Sequence, residues 1–207
     1  MAIVSFLYNF VFIKKTKTAG TSIEIDLDAR IEQEAIVTPI LPVVARHRPR
    51  NHSDGRFYDH MPATQIRKLL GQHRFSRMIL FCVEREPVDK CISHFHMLRN
   101  SQLHNPDGHY NLDWESYCRA ARFPIDHAKY SDDDKLLVNH VLRYERLGID
   151  LPPLMAELGL PDLRLTARAK SDYRYPELVR PDQVTEDQRA TILAAFADTC
   201  RLTGLYC

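Results

Sequence analysis

Apolar positions along the chain fall into short continuous runs that alternate with segments of helical periodicity. Ile3 to Ile13 is rich in aromatic and β-branched residues and ends in Val11-Phe12-Ile13, which predicts a buried strand bounded by the polar stretch Lys14 to Thr18. Gly20, Thr21 and Ser22 then turn the chain into a segment where Ile23, Leu27 and Ile31 recur every four positions, the spacing of one helix face. Thr38 to Val44 predicts a second short strand in spite of Pro39 and Pro42, and a polar loop with Arg46, His47, Arg48, Arg50 and His52 follows it. Pro62 at a first helical position, apolar Ile66, Leu69 and Leu70, and Gly71 just beyond predict a short helix.

Met78 to Val83 is a strand-length apolar run, after which Pro87 opens a helix with Val88, Cys91, Ile92, Phe95 and Leu98 on its buried ridge. Further along, Asp113 caps a helix containing Trp114 and Tyr117, Val138 to Tyr144 reads as a strand, and Leu154 to Leu158 as a helix closed by Gly159. Thr185 with Gln188 forms a capping box for a last helix through Ile192, Phe196 and Cys200. Two strand, loop and helix units of this kind predict an α/β fold, with an anion site at the loop ahead of a helix.

At 207 residues the chain fits one domain, 1–207, because single cores serve chains up to about 250 residues. Its net charge of +1 gives no broad basic field for nucleic acid or an anionic membrane, so any anion site must be local. Five cysteines without a C-x-x-C pair point to reduced thiols and a cytoplasmic setting. The apolar start lacks a preceding basic residue and is too short to span a bilayer, so neither a signal peptide nor a membrane span is expected.

Chemistry concentrates in Lys14-Lys15-Thr16-Lys17-Thr18-Ala19-Gly20-Thr21-Ser22, three lysines and several hydroxyls between a strand and a helix. Amides at such a helix start point at an anion, and Thr21 and Ser22 add side-chain donors. A Walker A loop needs two glycines with lysine after the second; this segment has one glycine and its lysines precede it, which disfavours an ordinary kinase or NTPase.

The run from Phe12-Ile13 to Lys17-Thr18-Ala19-Gly20-Thr21-Ser22 resembles the 5′-phosphosulfate loop of sulfotransferases that use 3′-phosphoadenosine-5′-phosphosulfate (PAPS), in the group related to carbohydrate sulfotransferases. That family has P-K-T-A-G-T-S after its first strand, with proline where this chain has Thr16. Val83-Glu84-Arg85-Glu86-Pro87 through Ser93 is similar to the family's 3′-phosphate motif, with Lys90 where arginine is usual, and Val141-Leu142-Arg143-Tyr144-Glu145-Arg146-Leu147 resembles its R-Y-E-x-L segment. The resemblance implies a three-layer α/β/α domain with a mainly parallel central sheet, a P-loop-NTPase-like sulfotransferase fold. It also implies Lys17 as catalytic lysine, Lys15 to Ser22 around the 5′-phosphosulfate, and Arg85 and Ser93 on the 3′-phosphate.

A hydroxyl acceptor needs a general base, and histidine suits that task. His60, in Tyr58-Asp59-His60-Met61-Pro62 just ahead of a helix, is the first candidate; His52, His47 and a glutamate are the alternatives. Lys170, Tyr173 and Arg174, in the loop Thr166 to Pro181, are expected to close over the adenosine and the 3′-phosphate as a late basic segment does in the family. No metal is expected: His94 and His96 diverge on a helix, and a sulfuryl group in transfer carries less charge than a phosphoryl group, so lysines and amides serve without Mg²⁺.

The expected activity is therefore transfer of the sulfuryl group from PAPS to a hydroxyl acceptor, with carbohydrates or glycoconjugates as the class the family favours. Two alternatives stand beside it: a P-loop-type phosphotransferase using ATP with Mg²⁺, and a non-catalytic module that binds an anion through the same loops. No nucleic-acid partner is expected, and oligomeric state is not legible.

Overall fold

The structure is a computed structural model that describes residues 2–53, 55–169 and 172–206. In chain order its strands and α-helices are β1 (Ala2–Ser5), β2 (Phe10–Ile13), α1 (Gly20–Asp28), β3 (Ile36–Val37), α2 (Ala63–Leu70), α3 (Gln72–Phe75), β4 (Ile79–Glu84), α4 (Pro87–Asn100), α5 (Trp114–Ala120), β5 (Ser131–Asp132), β6 (Lys135–Leu136), β7 (His140–Arg143), α6 (Leu147–Glu157), α7 (Glu186–Ala195) and α8 (Ala197–Thr203). They divide into two compact units, Met1–Glu84 with Asp126–Ala169, and Arg85–Ile125 with Lys170–Cys207.

The first unit is mixed α/β around a five-stranded sheet of order β3-β1-β2-β4-β7. β2 pairs with β4 and β4 with β7 in parallel, whereas β1 pairs antiparallel with β2 and with β3. The antiparallel half arises because the run predicted as one strand, Ile3 to Ile13, is a hairpin. Residues 6–9 reverse the chain, Asn9 takes φ 52°, and the Glu32 carboxylate accepts from the amides of Phe6 (2.6 Å) and Leu7 (3.1 Å). Phe6, Leu7 and Tyr8 keep most of the turn apolar, so only the single polar residue Asn9 marks where the backbone turns.

Both faces of this sheet are covered. Ile3, Phe10, Phe12, Phe81, Val83 and Leu142 pack with Ile23 and Leu27 of α1 and with Leu147, Leu151, Leu154 and Met155 of α6. The alternate residues Ala2, Val4, Val11, Ile13, Leu80 and Cys82 pack with Ala63 and Ile66 of α2, Phe57 and Tyr130. Strands buried on both sides read as unbroken apolar runs, the pattern seen in the sequence.

Other boundaries move for local reasons. The second strand is Ile36–Val37, not Thr38 to Val44, because Pro39 and Pro42 have no N–H for a ladder and the chain leaves the sheet. α6 begins at Leu147 and carries Pro152 and Pro153 inside it, seven residues ahead of the predicted start at Leu154; burial of one i, i+4, i+7 face outweighs the missing donors. α1 ends at Asp28, short of Ile31.

The second unit is helical. Val88, Cys91, Ile92 and Phe95 of α4 pack with Trp114 and Tyr117 of α5 and with Ile192 and Phe196. Trp114 stacks on Tyr117 at 5.3 Å, and its Nε1 donates to Gln188. The capping box of Thr185 and Gln188 opens α7 as expected, but the terminal helix breaks at Phe196, and α8 completes it. No helix among the described residues is long and apolar enough to cross a membrane. Cys82, Cys91, Cys118 and Cys200 are buried thiols.

Candidate functional site

The segment between β2 and α1 starts with two adjacent lysines that diverge as strand residues do. Lys15 is buried, forms an ion pair with the Glu84 carboxylate at the end of β4, and lies 4.0 Å from the centre of the Tyr130 ring. The Tyr130 hydroxyl donates to the same carboxylate at 3.1 Å, and burial pushes its pKa up. Lys14 turns the other way, its Nζ 3.2 Å from Glu24 of α1 and 3.5 Å from Asp59. Its stem crosses Gly20 so closely that a Cβ there would sit 2.5 Å from Lys14 Cγ.

The rest of the loop is pinned by groups distant in sequence. Thr16 donates its amide to Asp126 at 2.8 Å, and Asp126 is ion-paired to Lys129 at 2.5 Å. Proline, the residue of the resembled motif at this position, would have no hydrogen to give Asp126. Thr18 Oγ1 donates to the Lys15 carbonyl at 3.2 Å, and Ser22 Oγ accepts from the Ala169 amide at 3.1 Å.

Lys17 and Ala19 take φ 61° and 59°, left-handed values that cost a residue with a Cβ about 1 kcal/mol or more. Ala19 stands at the start of α1 with no side-chain cap, and the amides of Gly20, Thr21 and Ser22 donate to no acceptor among the described residues. Gly20 and Thr21 are buried. Left-handed backbone beside successive amides at a helix start makes a concave donor set suited to an anion.

The His60 turn lies beside this loop. Asp59 reaches Lys14, and His60 Nε2 is 3.8 Å from Asp59 Oδ2. Burial, with the positive charges of Lys129 and Lys14, lowers the His60 pKa to about 3, so the ring is neutral at pH 7. Its Nδ1 is buried without a hydrogen bond among the described residues. Of the alternatives, His47 is buried with its pKa also lowered by burial, and its Nε2 is likewise unpartnered; the same holds for Nδ1 of His52.

The residues predicted for the 3′-phosphate belong to the helical unit. Arg85 is buried and its Nε donates to Asp89 Oδ2 at 2.6 Å; Glu86 caps α4 by accepting from the Asp89 amide at 2.7 Å, with Pro87 at the first helical position. Ser93 is half-buried two turns on, and the wholly buried Lys90 holds its ammonium 5.6 Å from the Phe196 ring centre. The Tyr173 carbonyl accepts from Asn100 at 2.9 Å and its ring meets His104 edge-on at 6.3 Å. Asn100 ends α4, so Tyr173 and its neighbour Arg174 are anchored about 20 Å along the helix axis from Pro87, at 1.5 Å per residue. Lys170 lies outside the described residues.

Comparison with known proteins adds little. No family model matches the chain, and no solved structure does. An uncharacterized protein of Archaeoglobus fulgidus is 29% identical over 126 residues, which make up 55% of this chain and 98% of that protein.

Sequence reasoning missed the carboxylates that hold the site. Glu24, Asp26 and Asp28 are all buried on α1 and each fixes a different segment: Lys14; the amides of Thr166 and Ala167; and Arg50 with the Arg48 amide. Three acids at alternate positions of an otherwise apolar helix were the available signal. Asp126 and Tyr130 had none, since nothing local marks residues that act on a loop more than a hundred positions away.

Proposed function

We propose that this chain is a sulfotransferase that moves the sulfuryl group from PAPS to a hydroxyl of a carbohydrate or glycoconjugate acceptor. The observation that carries this reading is the donor set at the start of α1: the amides of buried Gly20 and Thr21 and half-buried Ser22, without acceptors among the described residues, behind two left-handed residues. Buried amides without partners are rare, and an anionic group there satisfies them. Lys17 and the order of the two motifs point to the sulfate donor among anions, while Lys14 and Lys15 are engaged by Glu24, Asp59 and Glu84 and act on the frame of the loop. Its sulfotransferase-like, P-loop-related fold and the 3′-phosphate role of Arg85 and Ser93 rest on the same resemblance.

In the reaction the acceptor oxygen attacks sulfur, the bond from sulfur to the phosphate oxygen breaks, and the acceptor proton goes to His60. Lys17 stabilises charge on the leaving oxygen, while Thr18 to Ser22 hold the 5′-phosphate. His60 is neutral at pH 7 and so ready to accept a proton. Its affinity for that proton is low beside Lys14 and Lys129, and a bound anionic donor offsets their charge.

Calorimetric titration with adenosine 3′,5′-bisphosphate, with ATP plus Mg²⁺ in parallel, tests the reading, followed by PAPS turnover on a panel of glycans. Expected are tight bisphosphate binding, weakened at least tenfold in Arg85→Ala, and turnover lost in Lys17→Ala and His60→Ala with smaller effects on binding. Free-enzyme kcat/KM should show no acid limb near pH 6.5, because His60 stays unprotonated until the pH approaches 3. Preference for ATP with Mg²⁺ would make the chain a phosphotransferase; bisphosphate binding without turnover on any acceptor would make it a binding module.

A further inference from the structure

Between β3 and the His60 turn the backbone makes a closed surface loop. Val37 and Arg50 exchange two amide hydrogen bonds of 2.9 Å, so residues 38–49 leave and return at one point. The neck is clamped: Arg50 pairs with Asp28 and donates to the Glu32 carbonyl at 2.9 Å, and the Arg48 amide donates to Asp28 at 2.6 Å. Pro39, Pro42 and Pro49 fix φ at three of the twelve positions. Thr38, Ile40 and His47 are buried beneath the loop. A compact loop with joined ends, packed on its own side chains, is a rigid platform for whatever it carries outward.

What it carries outward is apolar at the tip and basic beside it. Val43 is 87% exposed and Leu41 68%, on alternate positions, and Arg46 and Arg48 are exposed a few residues on. No aspartate or glutamate occurs from residue 37 to 53. The chain's net charge of +1 makes this a local feature, not part of a basic field. Folding leaves these two aliphatic side chains in water on a constrained loop.

We propose that the 38–49 loop is a membrane-surface contact that seats on bilayers bearing anionic phospholipid, with Leu41 and Val43 entering the interface and Arg46 and Arg48 meeting the headgroup phosphates. Short aliphatic tips beside cations suit the boundary between acyl chains and charged headgroups. A nucleic-acid strand is less well served, since residues 38–49 contain no Phe, Tyr or Trp on which bases could stack. The inference stands apart from the sulfotransferase reading.

Co-sedimentation of the full chain with phosphatidylcholine vesicles, with and without phosphatidylserine, at low and high salt, tests it. Expected is binding that requires phosphatidylserine, weakens with salt, and falls about tenfold or more in Val43→Asp and in the double variant Arg46→Glu, Arg48→Glu. The altered side chains are exposed, so circular dichroism should be unchanged. Three results would overturn the proposal: no sedimentation with anionic vesicles, sedimentation that ignores both variants, or competition in which poly(U) or heparin binds through the loop and vesicles do not.

Discussion

The two loop-to-helix junctions that carry the candidate chemistry begin their helices in opposite ways. At α4 the protein satisfies its own backbone: Glu86 accepts from the Asp89 amide, Pro87 removes a donor, and Asp89 takes up Arg85. At α1 no side chain caps the helix, the first amides find no acceptor among the described residues, and two left-handed residues precede them. The α4 junction, second in chain order, is stable by local means. The first is held from outside, by Glu84, Asp126 and Glu24 acting on Lys15, Thr16 and Lys14. A helix start whose donors are not filled by its own side chains takes its stability from elsewhere in the fold.

If that contrast is right, the largest effect comes from removing an outside support. Glu84→Ala leaves Lys15 as a buried cation without its carboxylate, and loss of one member of a buried pair costs about 3–5 kcal/mol. Urea denaturation should show that loss, and the double variant Lys15→Met, Glu84→Leu should recover part of it, because two apolar groups leave no uncompensated charge while the Tyr130 hydroxyl still lacks its acceptor. Equal losses in the single and double variants would mean that shape, not charge, holds the first junction.

This division also explains what could be read from the sequence. Capping at α4, α5 and α7 was legible because Pro87, Asp113 and the Thr185–Gln188 box act within three or four residues of themselves. The loop at Lys14 to Ser22 was legible as a strand-to-helix connection for the same reason: small residues and lysines stand together between an apolar run and a helical pattern. Its supports were not, because Glu84 and Asp126 reach it from β4 and from a segment 110 residues downstream of Thr16. The hairpin hidden in Ile3 to Ile13 belongs with them, since Asn9 is the one polar residue of its turn and the carboxylate that holds it belongs to Glu32. The placement of Tyr173 at the far end of α4 from Arg85 was equally closed to a reading by motif order, which fixes sequence but not distance along a helix.

A second support can be withdrawn without touching charge. Thr16→Pro deletes the N–H and the hydroxyl that donate to Asp126 at 2.8 and 3.4 Å, and leaves Asp126, which is 5% exposed, with its ion pair to Lys129. An unmade hydrogen bond to a buried charged group costs about 1–3 kcal/mol. A lower urea midpoint together with weaker bisphosphate binding is expected, since the same substitution constrains the approach to Lys17. Retained stability would show that Asp126 does not anchor the loop, and that the proline of the resembled motif could be accepted here.

The smallest change addresses the other junction. Glu86→Ala takes away the carboxylate that caps α4 and exposes the Asp89 amide to solvent, which should cost about 1 kcal/mol, the usual value of a lost N-terminal cap. The variant also makes α4 begin as α1 does, with open amides at its positive end. Added sulfate should then raise the melting temperature of Glu86→Ala more than that of the unaltered protein, because a helix start stripped of its own acid can take one from solution. If sulfate stabilised both equally, the anion would be bound at the α1 junction alone, and an open helix start would be too little to hold an anion without the left-handed residues that precede α1.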